Sequence, residues 1–80
     1  MLTAMQITLL AQAYAHNADT LLKIFAIAAQ HNDIDTVLYI MQNYAHKYTE
    51  EQQQAMRNVT ELVYAEILQQ MTIEDTTQLH

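Results

Sequence analysis

The chain has 80 residues, three of them basic and nine acidic, giving a formal charge of −6 with histidines neutral, and that length allows one small domain. It contains no Gly, Pro, Cys, Ser or Trp, which excludes a disulfide framework, a CxxC pair, a serine or cysteine nucleophile and a glycine-rich phosphate loop. Apolar residues make up 51% and charged residues only 15%, where soluble domains carry about a quarter charged residues. A chain of this size buries only about 60 to 65% of the surface it exposes when unfolded, so apolar side chains are left over for the outside.

Without glycine or proline, helices need other punctuation: Asn in a left-handed position after a helix, His in a last turn, Asp or Thr as an N-cap. These residues recur. Tyr14, Ala15, His16 and Asn17 precede Asp19; Gln30, His31 and Asn32 precede Asp33 and Asp35; Tyr44, Ala45, His46 and Lys47 precede Thr49. Each group reads as a stop followed by a start, and His16, His31 and His46 fall fifteen residues apart. Thr49 with Gln52 forms a capping box, in which each side chain serves the other's backbone N–H.

The first predicted helix, 2–16, places Leu2, Met5, Leu9, Leu10, Ala13 and Tyr14 on one face. In the second, 19–31, Lys23 is the one polar residue between Leu21 and Ala29, which predicts a central helix touched on several sides. The third, 34–47, lines up Ile34, Val37, Leu38, Met41, Tyr44 and Ala45, with Tyr48 continuing the stripe and Tyr39 and Ile40 nearer its flanks. The fourth, 50–71, carries Ala55, Met56, Val59, Leu62, Val63, Ile67 and Met71, while Tyr64, Ala65 and Leu68 spread onto a second side. At about 1.5 Å per residue this helix is roughly 33 Å long against about 20 Å for the others, so its end projects. The residues from Thr72 to His80 lose apolar periodicity and are expected to fray, with Ile73 and Leu79 as a candidate short binding segment.

The expected fold is all-α, a small antiparallel four-helix bundle with one domain over 1–71 and a tail over 72–80. Residues 12–16 read QAYAH and 42–46 read QNYAH, an offset that pairs the first helix with the third. Two readings stay open: repeated helical hairpins, or chance similarity between two alanine-rich helices.

Chemistry-bearing patterns are sparse. There is no HxxxH, HExxH or Glu-x-x-His spacing, and Asp33 with Asp35 lacks the Gly and distal Glu of a calcium loop, so neither metal nor cofactor is expected. Glu61 and Glu66, the only acids set within an apolar run, lie five residues apart on different helix faces, and no base sits beside a candidate nucleophile. The protein is therefore expected not to be an enzyme. Lys23, Lys47 and Arg57 are its only Lys and Arg residues, too few for direct nucleic-acid binding or an anionic membrane surface. No run approaches the length of a membrane span, and the N-terminal apolar run lacks a positive flank, which argues against a signal peptide and for a cytoplasmic location. The mid-helix sequon Asn58-Val59-Thr60 reads as accidental.

The expected function is protein–protein interaction without catalysis, as a small adaptor, chaperone or assembly subunit, acting through an apolar helix face and self-associating as at least a dimer. The candidate contact residues are Met56, Val63, Tyr64, Ile67, Leu68 and Met71, with Tyr39 from the third helix. The alternative is an acidic antagonist, of the immunity or phage-encoded anti-defence kind, that masks a basic nucleic-acid-binding surface with Asp19, Asp33, Asp35, Glu50 and Glu51.

Overall fold

Helix starts in this chain are set by short polar side chains that accept from the backbone three residues on. Thr3 accepts from the Gln6 N–H at 3.2 Å while the Gln6 side chain accepts from the Thr3 N–H at 2.8 Å. This is a second capping box that the punctuation pattern missed. Asn17 accepts from the Thr20 N–H and Asp33 from the Thr36 N–H. The Thr49–Gln52 box forms as expected, at 3.0 and 3.1 Å.

The computed structural model describes residues 3–78, with side chains as far as Met71. Over that span the chain is all-α: α1 (Ala4–Ala13), α2 (Ala18–Gln30), α3 (Ile34–Tyr44), a 3₁₀ turn (Ala45–Lys47) and α4 (Glu50–Gln78). The expected end of the last helix at residue 71 is overturned, since α4 runs on to Gln78. No Gly, Pro or left-handed cap interrupts that stretch, and helix propagation costs little once the helix is nucleated. His80 and Leu79 lie outside the described residues, as do Met1 and Leu2.

The tightest link joins α2 to α3. His31 is the C-cap, Asn32 takes the left-handed conformation at φ 53°, and the Asp33 N–H reaches back to the Ala28 carbonyl at 2.9 Å. Asn32 bonds Ala29 at 3.1 Å, completing the six-to-one and five-to-two pair that closes a helix with a left-handed residue. Asp33 then caps α3, so one residue ends one helix and begins the next. Asn17, read as a stop, serves instead as the N-cap of α2, in extended conformation.

The core gathers Ile7 and Ala11 from α1, Leu21, Ile24, Phe25 and Ala28 from α2, Val37 and Ile40 from α3, Tyr48 from the following link and Met56 from α4. Helix α2 packs on α1 and α3 and, more lightly, on α4, while α4 lies chiefly on α3. Two expected faces are corrected. On α1 the buried residues are Ile7 and Ala11, and Met5, Leu9, Ala13 and Tyr14 are exposed. Turning α1 this way brings Thr8 Oγ1 within 2.8 Å of the buried Thr36 hydroxyl and sets the small Ala11 at the close approach. Since Thr8 already donates to the Ala4 carbonyl, Thr36 is the donor to Thr8, and a buried hydroxyl keeps its partner. On α3, Ile40 is fully buried rather than at the flank.

The α3–α4 link is tied down by side chains. Tyr48, 7% exposed, donates its hydroxyl to the Ala18 carbonyl at 2.7 Å. Gln53 Nε2 donates to the carbonyls of Ala45 at 2.7 Å and Tyr48 at 3.1 Å, satisfying acceptors that the end of α3 leaves open.

Two stability outcomes follow. Replacing Asn32 by Ala is expected to lower unfolding free energy by about 1 kcal/mol, because Ala meets the full left-handed penalty, whereas Asn32→Gly leaves it equal or higher; chemical denaturation measures both. Tyr48→Phe is expected to cost about 1 kcal/mol through the lost hydrogen bond.

Candidate functional site

The length of α4 determines what it exposes. Its 29 residues span about 43 Å, against about 20 Å for the 13 of α2 and about 16 Å for the 11 of α3. The first turns of α4 lie against the core, where Met56 is 2% and Val63 4% exposed. The other faces of α4 are open, and its far end outruns the shorter helices. Leu62 is 69%, Tyr64 44%, Leu68 60% and Met71 55% exposed, while Ile67 is half-buried.

This divides the residues singled out in the sequence. Met56 and Val63 are corrected from contact to core residues, because both point to the inner side of α4 with Thr60, whose hydroxyl donates to the Met56 carbonyl at 2.8 Å. Tyr64, Leu68 and Met71 share one exposed stripe at four- and three-residue spacing, with Ile67 at its inner edge. Tyr39 does not join them. It is half-buried on α3, its ring edge-on to Tyr44 with centroids 5.8 Å apart at 74° and the two hydroxyls 3.3 Å apart. That hydrogen bond raises the Tyr44 pKa above its usual 10.0, with burial and the Tyr39 charge adding to it.

A second apolar feature lies between α2 and α4: a groove of about 400 Å³ lined by Leu22, Phe25, Ala26 and Ala29 from α2 and by Ala55, Met56 and Val59 from α4, with Gln30 and Gln52 as its polar residues. Ala26 and Ala55 are exposed within it. No sequence pattern marks the groove as a groove, since its two walls lie on helices separated by α3. The signal that could have pointed to it was the nearly all-round apolarity of α2, which leaves one face over after α1 and α3 are packed.

The acidic candidates fall into two groups. Asp19 lies near Tyr48, whose pKa is raised above 10.0 first by burial and then by that carboxylate, and Glu50 and Glu51 follow directly at the start of α4. Asp33 and Asp35 sit at the far end of α2, about 20 Å away along its axis. Asp33 is partly buried and committed to capping through Oδ1, and its Oδ2 has no hydrogen-bond partner. Among the described residues no three His, Asp or Glu side chains gather as a metal site needs, and no helix is long and apolar enough to cross a membrane.

No protein-family model, curated protein or solved structure matches this chain.

Because Tyr48 holds its proton more tightly folded than unfolded, its contribution to stability is complete below pH 10.0 and is lost as pH rises from there through the raised folded value. Alkaline titration of unfolding should show this fall, and Tyr48→Phe should reduce it. Met56→Ala is expected to destabilise by about 2 to 5 kcal/mol as a core truncation, in contrast to Leu68→Ala, which should stay within about 0.5 kcal/mol.

Proposed function

We propose that the chain is a non-enzymatic protein–protein interaction module, a small adaptor, chaperone or assembly subunit, that acts through the apolar surface of α4 and associates with itself. The observation that carries this reading is the exposure of Tyr64, Leu68 and Met71 along one stripe of a helix that extends past its packing partners. Covering a half-exposed side chain of that size is worth about 1 kcal/mol, so association through this stripe needs apolar area from both partners to offset its entropic cost of at least about 4 kcal/mol. Contiguous exposed apolar residues on a small domain mark interaction surfaces. The few charges along this stretch, Glu61 and Glu66, leave little to oppose association.

A second reading rests on Asp19, near Tyr48, and on Glu50 and Glu51, which follow Tyr48 at the start of α4. An antagonist of a basic nucleic-acid-binding surface would present such a group, together with the overall charge of −6. The two readings respond oppositely to salt. Docking by charge weakens steeply with ionic strength, whereas an apolar helix contact does not.

Sizing by light scattering at low and high salt tests the first reading. The expected result is a mass above that of the 9.2 kDa chain at both salt concentrations, falling to the monomer in Leu68→Glu with helix content unchanged. A monomer under all conditions, indifferent to Leu68→Glu, would sink it.

A further inference from the structure

We draw no further inference here: the strongest candidate, the apolar groove between α2 and α4 that Leu22, Ala26, Ala29, Ala55 and Val59 line, has no charged side chain along it to select a partner, and nothing in the structure shows what covers it.

Discussion

A helix of 29 residues cannot be covered by neighbours of 11 and 13. That mismatch of length governs the surface of this protein. Where α3 and α2 run alongside, α4 buries Met56, Thr60 and Val63 as any core-facing helix does. On its outer side the same apolar composition faces solvent through Tyr64, Leu68 and Met71. Among the described residues no further element lies across that stretch.

Holding the shorter helices in place falls to hydrogen bonds made by residues that also end or begin helices. Asp33 closes α2 through its N–H and opens α3 through its carboxylate. Tyr48 and Gln53 together bind the link before α4 to the start of α2 and the end of α3. These contacts fix where α4 departs and therefore which of its faces meets α2. Because α2 touches α4 only lightly, an alanine-floored groove remains between them. The groove and the exposed stripe of Tyr64, Leu68 and Met71 are thus two consequences of one packing arrangement, set at opposite sides of the same helix.

Much of the fold is legible in the chain because helix termini are written in local chemistry. Thr49 with Gln52, Asp33 and the left-handed Asn32 act over three or four residues, and that range can be read without knowing the fold. Faces were less legible. On α1 apolar residues occupy nearly every side, so periodicity admits more than one orientation; the pairing of Thr8 with Thr36 and the smallness of Ala11 select Ile7 as the buried residue. The candidate contact set failed in the same way at Met56 and Val63. Both belong to the apolar stripe of α4, and only the reach of α3 determines how far along that stripe burial extends. The end of α4 was misplaced because loss of apolar periodicity signals loss of packing, not loss of helix.

By itself, the sequence determined an all-α chain, its four helices, most of their starts and the surplus of apolar over charged side chains. Those properties depend on residue type and near-neighbour hydrogen bonding, which act locally. Tertiary structure alone decided which apolar residues are spent on the core, where the α2/α4 groove opens, and that Asp19 lies near Tyr48 while Asp33 and Asp35 lie at the other end of α2. The physical reason is that burial is a property of pairs of surfaces: a helix face is core or interface according to the length and angle of whatever lies against it, and neither quantity is encoded in the face itself.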